Sequence, residues 1–176
     1  MTTANKITLF RVVLIPVFLV LAYTGHMVWA LAVFVLASLS DMLDGYIARH
    51  FNQITDFGKF MDPLADKVLV VSAMCYFVEV GRMPGWVLAL VLLREFAVSG
   101  MRLVAVEQGR VIAAGWSGKV KTASTMVCLC LMLLIGKQEG TTDWVALGSS
   151  AVILITTVYS GVEYFIKNLD VFRHVD

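Results

Sequence analysis

Asp41-Met42-Leu43-Asp44-Gly45-Tyr46-Ile47-Ala48-Arg49, then the eight residues from His50 to Phe57, then Gly58-Lys59-Phe60-Met61-Asp62-Pro63-Leu64-Ala65-Asp66, is the stretch on which the reading of this chain turns. It sets four carboxylates between segments that otherwise look built for hydrocarbon. On its N-terminal side, residues 12–40 contain no Asp, Glu, Lys or Arg. That run exceeds the roughly 20 residues needed to cross a bilayer once. Tyr23-Thr24-Gly25-His26 divides it, so one helix is expected from about Ile7 to Ala22 and a second from about Met27 into the Asp41 region. On the C-terminal side, apolar segments near 59–80 and 84–106 are interrupted by Asp62, Asp66, Lys67, Arg94, Glu95 and Arg102, and charge-free runs fill 122–136 and 144–162. The expected fold is all-α: a polytopic membrane protein of six transmembrane helices with short loops, forming one domain over residues 1–176. The longest polar connection falls at about 103–118.

Composition agrees. Of 176 residues 59% are hydrophobic and only 15% charged, against about 25% charged in ordinary soluble domains. A water-soluble globule, a disordered chain and a secreted disulfide scaffold are excluded. A net charge of +1 gives no bulk attraction to a polyanion, so no nucleic-acid partner is expected. Cys75, Cys128 and Cys130 lie in apolar runs and read as packing residues. The first helix reads as a span rather than a signal peptide, because no small-residue cleavage site follows it and further spans come at once. Six spans put Lys6, Arg11, Arg49, Lys59, Arg102, Arg110, Lys119, Lys121, Lys167 and Arg173 on one side and only Arg82 and Lys137 on the other. That bias places both termini in the cytoplasm.

An ionisable group inside a membrane helix costs at least a few kcal/mol and so calls for a reason. Asp44 and Asp62 lie roughly 6 to 8 Å from the loop that joins helices 2 and 3, and Asp41 and Asp66 roughly 12 Å, at 1.5 Å per residue. At about 100° per residue, Asp41, Asp44, Gly45 and Ala48 share a narrow arc of helix 2. Gly58, Asp62 and Ala65 share one on helix 3, with Asp66 at its edge. Helix-end pairing with Arg49, Lys59 or Lys67 would account for any one of these acids. Four on two arcs at matched depths are better explained by shared counterions, since clustered carboxylates otherwise repel and take up protons. Two divalent cations would cancel the charge, and hard oxygen ligands suit Mg2+ or Mn2+. The small residues on the same arcs leave room for a ligand.

The segment from Asp41 to Asp66 is similar to the signature of the CDP-alcohol phosphotransferases, integral membrane enzymes that move a phosphatidyl or related group from a CDP-linked donor to an alcohol. Asn5, Thr8 and Arg11 at the start of helix 1, the run Asp56 to Lys67, Arg94-Glu95-Phe96 and Gly118-Lys119-Val120-Lys121-Thr122 resemble the bacterial branch of that family that makes phosphatidylglycerophosphate. Gly115 and Thr125 depart from that branch. The resemblance implies the CDP-alcohol phosphotransferase fold in a bacterial inner membrane, a homodimer, and transfer of the phosphatidyl group of CDP-diacylglycerol to glycerol 3-phosphate with release of CMP. It implies that Asp41, Asp44, Asp62 and Asp66 hold the metals and that Asp66 is also the general base. Gly45, Ala48 and Gly58 would make room for the nucleotide, and Asn5, Thr8 and Arg49 would contact it.

Acceptor recognition rests on the cations of the second half. Arg94 lies ten residues past Pro84, roughly 15 Å into the membrane, where a guanidinium needs either a paired acid such as Glu95 or an anion. With Lys119 or Lys121 it would bind the acceptor phosphate. Lys119 and Lys121 diverge by about 200° on a regular helix, so both face one pocket only if helix 5 begins after them; Lys121 is preferred. Arg102 could serve the pocket or the lipid surface. The signature reads the donor and not the acceptor, so inositol phosphate or a second lipid stands as the alternative acceptor. A cation or proton-coupled transporter is the rival of another class, although such sites favour the midplane and paired repeats.

Overall fold

A computed structural model describes the backbone of residues 3–50, 56–110, 112–113, 115–136 and 142–170. Side chains are described for 9–40, 64–65, 67–110, 112–113, 115–136 and 142–170. The described backbone forms six helices and, among the described residues, no strand: α1 (Thr3–Tyr23), α2 (Met27–His50), α3 (Asp56–Glu79), α4 (Gly85–Glu107), α5 (Trp116–Ile135) and α6 (Trp144–Lys167).

Every expected helix is present, and most run further than the apolar patterning indicates. α2 continues past Asp41 to His50, α3 starts at Asp56, and α5 starts at Trp116 rather than near 122. The polar connection between α4 and α5 is correspondingly shorter than the expected 103–118. A charge-free window stops at the first Asp or Lys, whereas backbone hydrogen bonding continues wherever the charged side chain finds a partner or reaches polar surroundings.

Successive helices run up and down. Tyr23, at the end of α1, donates its hydroxyl to Glu79 at the end of α3 and packs edge-on against Tyr76, ring centroids 5.2 Å apart. The α1–α2 turn reverses through Gly25 at φ +82°, a left-handed conformation that favours glycine. Thr24 Oγ1 donates to the Val20 carbonyl there, and His26 stands in the loop beside Thr24, as its sequence context predicts. At the same end Arg82 Nε donates to Asp143 Oδ2 at 2.7 Å while its guanidinium lies over the Phe77 ring. Asp143 also caps α6, its Oδ1 accepting from the Ala146 amide at 2.9 Å. One ion pair therefore ties the α3–α4 turn to the start of α6.

α1 packs on α2 and α3, α6 packs on α5 and α4, and α5 joins the two groups through α2 and α3. Phe18, Phe34, Leu69, Phe77, Leu129 and Ile153 fill the main core. A smaller cluster of Val98, Met101 and Tyr164 joins α4 to α6 nearer the chain termini. The three cysteines are free, with Cys128 buried between helices.

The outer surface of the bundle is far more apolar than that of a soluble protein, and its interior holds polar groups as well as the apolar core. Phe10, Trp29, Leu93, Phe96, Leu134 and Ile155 point outward, while Lys121, Thr125, Ser149, Ser150, Thr157 and Ser160 are buried. Polar groups inside and large apolar groups outside are what a hydrocarbon solvent selects. Among the described residues, α5 and α6 are long and apolar enough to cross a bilayer; α1 and α2 contribute shorter apolar stretches, Leu9–Tyr23 and Met27–Ser40.

Candidate active site

Where α3, α4 and α5 meet, three cations gather around one carboxylate. Glu95 of α4 is placed by a helix whose buried stripe, Val87, Val91, Val98, Met101 and Ala105, faces inward. Its Oε1 accepts from Arg94 Nη1 at 2.9 Å and from Lys121 Nζ at 2.7 Å. Its Oε2 lies 3.8 Å from Lys67 Nζ. Lys67 donates to Ser99 Oγ at 2.6 Å, one turn along α4 from Glu95. Arg94 Nη2 donates to Ser160 Oγ of α6, also at 2.6 Å. Four helices thus hold one polar knot whose formal charge, three cations against one carboxylate, is +2.

Local sequence explains how the knot fits into an apolar bundle. Gly161 and Gly118 leave space for the Arg94 side chain: a Cβ on Gly161 would stand 3.2 Å from Arg94 Cγ, and one on Gly118 would stand 3.6 Å from Nη2. Lys121 is held by its backbone, because the hydroxyls of Ser124 and Thr125 both donate to its carbonyl, at 2.9 and 2.8 Å. Its side chain is 6% exposed and that of Glu95 20%. Glu95 also borders a groove of about 340 Å³ lined by Leu64, Val68, Val71, Leu92 and Phe96, and a smaller cavity of about 50 Å³ shared with Lys121 and Thr125. Arg94 Nε is buried with no hydrogen-bond partner among the described residues. A site of this kind, positive, desolvated and open to a groove, is suited to an anion.

The four acceptor candidates separate. Arg94 and Lys121 meet through Glu95. Lys119 is exposed, its ammonium 5.5 Å from the centre of the Trp116 ring. Because α5 begins at Trp116, the two lysines stand on one regular helix and diverge, as their spacing requires. Arg102 lies elsewhere, donating from Nε to the Tyr164 hydroxyl at 3.1 Å and stacking on that ring. Arg110 pairs with Asp170 at 2.7 Å. Lys67 and Ser160 join the knot although sequence reasoning assigned them no part in acceptor binding. The usable signal for Lys67 was its position directly after Asp66, as the last charge before the charge-free run 68–78; for Ser160 no sequence signal distinguished it from other small residues of α6.

Positions 41, 44, 45, 48 and 49 stand on α2 and positions 58, 62 and 66 on α3, two helices that pack against each other. The side chains and surroundings of Asp41, Asp44, Gly45, Ala48, Arg49, Gly58, Asp62 and Asp66, and of Asn5 and Thr8 on α1, lie outside the described residues. Among the described residues, no group of three or more His, Cys, Asp or Glu gathers.

The family model for CDP-alcohol phosphatidyltransferase matches residues 1–160. The chain belongs to the CDP-alcohol phosphatidyltransferase family. It is 37% identical, over 96% of each chain, to a Bacillus subtilis protein named CDP-diacylglycerol–glycerol-3-phosphate 3-phosphatidyltransferase. It is 35% identical, again over 96% of each, to the Sodalis glossinidius protein of that name, and 37% identical over 90% of each to the Salmonella typhimurium one. The matched region takes in the signature on α2 and α3 as well as Lys67, Arg94, Glu95 and Lys121. In this CDP-alcohol phosphatidyltransferase one member of the polar knot, Lys67, therefore stands on the helix that carries the second half of the signature, as the residue after Asp66.

Proposed function

We propose that this protein transfers the phosphatidyl group of CDP-diacylglycerol to glycerol 3-phosphate, giving phosphatidylglycerophosphate and CMP. The names of its relatives support the reaction. The observation that carries a phosphorylated acceptor is the knot of Lys67, Arg94 and Lys121, whose charge of +2 around Glu95 matches a phosphate monoester dianion, and the relatives' names favour glycerol 3-phosphate over inositol phosphate. A neutral alcohol would have no use for it.

The chemistry follows from the residues. The four carboxylates of the signature have the hard-oxygen chemistry that suits Mg2+ or Mn2+, so Asp41, Asp44, Asp62 and Asp66 are assigned two divalent ions. Held there, such ions would supply charge neutralisation for a donor diphosphate. Asn5, Thr8 and Arg49 are assigned to the nucleotide, and Gly45, Ala48 and Gly58 leave it room. Arg94 and Lys121 hold the acceptor phosphate, with Lys67 adding its charge from the far side of Glu95, and so present the acceptor's free hydroxyl toward α3. Asp66 takes the hydroxyl proton; the oxygen attacks the phosphorus carrying the diacylglycerol, and the bond to CMP breaks in line.

The same reading makes the chain a six-span protein of the bacterial inner membrane with both termini cytoplasmic, working as a homodimer. Its outward apolar side chains and buried hydroxyls support the membrane part. The donor's acyl chains then stay in the bilayer while its diphosphate meets the aspartates. Purified protein given CDP-diacylglycerol and a panel of alcohols, with CMP release followed, tests the assignment. Turnover with glycerol 3-phosphate is expected; turnover with another alcohol and none with glycerol 3-phosphate overturns it.

A further inference from the structure

We propose that Glu95 is an internal counter-anion that occupies the acceptor phosphate's place and is displaced by it, a step that rests on the reading of Arg94 and Lys121 as the phosphate site. Glu95 Oε1 bridges a guanidinium and an ammonium, 2.9 and 2.7 Å away, which is the arrangement one phosphate oxygen would adopt between the same two groups. The carboxylate has somewhere to go. Its second oxygen already faces Lys67 at 3.8 Å, and the groove of about 340 Å³ beside Lys67 gives the side chain room to turn.

Charge and solvation explain why such a residue is useful. Without Glu95 the knot would carry +3 among apolar helices, and like charges at this range disfavour one another strongly when water is scarce. With Glu95 in place the empty site is partly neutralised. When the dianion enters and Glu95 moves to Lys67, the three cations and two anions sum to zero. Glu95 thus competes with every anion for Arg94 and Lys121 while keeping those two side chains in position for it, and it weakens binding of all anions that cannot displace it.

Inorganic phosphate is the probe. In CMP-release assays on the purified enzyme with saturating CDP-diacylglycerol, phosphate should inhibit competitively against glycerol 3-phosphate. Glu95→Gln, which keeps the shape and removes the charge, is expected to lower both the phosphate Ki and the glycerol 3-phosphate KM roughly tenfold, as relief of one close charge competitor implies. If the amide variant does not accumulate, Glu95→Asp, which draws the carboxylate back by one methylene, is expected to lower the Ki about threefold. A Ki at or above the wild-type value in the variant measured overturns the proposal and leaves Glu95 as a scaffold for Lys121. Lys121→Met separates the two levels of the argument. An unchanged KM in that variant removes the phosphate site itself, whereas a raised KM together with an unmoved Ki in Glu95→Gln removes the displacement alone.

Discussion

Two lysines separated by one residue make the sharpest test of the acceptor site. Lys121 is buried to 6% exposure with its ammonium 2.7 Å from Glu95; Lys119 is exposed against Trp116. Replacing either by Met removes one positive charge and keeps most of the side-chain length. At an effective dielectric near 20, two unit charges 4 Å apart interact by about 4 kcal/mol. After allowance for hydration recovered in the free enzyme, truncating one partner of a desolvated pair costs about 2 to 3 kcal/mol of binding. At roughly 1.4 kcal/mol per decade, Lys121→Met should raise the KM for glycerol 3-phosphate about 30- to 140-fold. Lys119→Met should stay within about twofold, since an exposed cation on an aromatic ring contributes only about 0.5 to 1 kcal/mol and does so locally. The assay is CMP release by purified enzyme at saturating CDP-diacylglycerol with glycerol 3-phosphate varied, and a thermal melt confirms that both variants are folded. Equal effects of the two substitutions, or a larger one at Lys119, would refute the placement of the acceptor phosphate beside Glu95.

Other predictions concern the chemistry and the scaffold. Asp66→Asn should cut turnover by about 100-fold or more, the usual worth of a positioned base, with the melting temperature little changed; near-normal rates would remove Asp66 as the base. Chelation of divalent ions should abolish CMP release and addition of Mg2+ or Mn2+ should restore it, whereas full activity in excess chelator would dismiss the metal assignment. Arg82→Met leaves the Asp143 carboxylate short of its buried partner and should cost about 3 kcal/mol of stability, read as a clear fall in melting temperature with the glycerol 3-phosphate KM unmoved. A variant that melts like the wild type would show that this ion pair contributes little.

The helices were legible because hydrocarbon imposes a simple rule on sequence, and their ends were not, because the rule stops at the first charge. Gly25 and the Tyr23–His26 break marked the first turn correctly, since a left-handed glycine and a short polar run have one reading. The start of α5 was not legible: the spacing left open whether Lys119 and Lys121 precede the helix or stand on it, and the helix carries both, one reaching Trp116 and the other Glu95. Family membership was legible in the spacing of Asp41, Asp44, Asp62 and Asp66, a pattern local to two helices. The polar knot was legible only in part. Arg94 stood out as a charge deep in an apolar run and Lys121 as one of two neighbouring lysines, and Glu95 appeared only as a pairing partner for Arg94. That Lys67 of α3, Lys121 of α5 and Ser160 of α6 would converge on two neighbouring residues of α4 depends on how the helices pack, which periodicity along one chain does not encode.

Packing also explains why this site is built with a carboxylate in it. Three cations drawn from α3, α4 and α5 would push those helices apart in a medium that screens charge poorly. Glu95 lets the helices close before any substrate arrives, and Ser99 and Ser160 accept from Lys67 Nζ and Arg94 Nη2. The arrangement sets two demands against each other: the stronger the internal ion pairs hold the empty bundle together, the more of the acceptor's interaction energy is consumed in displacing them. Stability of the empty enzyme and affinity for the acceptor should therefore move in opposite directions when the Glu95 charge is removed. A Glu95→Gln protein that melts lower than wild type without phosphate, and gains more from added phosphate than wild type does, is the signature of that coupling. Loss of stability with no such gain would show that the carboxylate serves the fold and not the exchange.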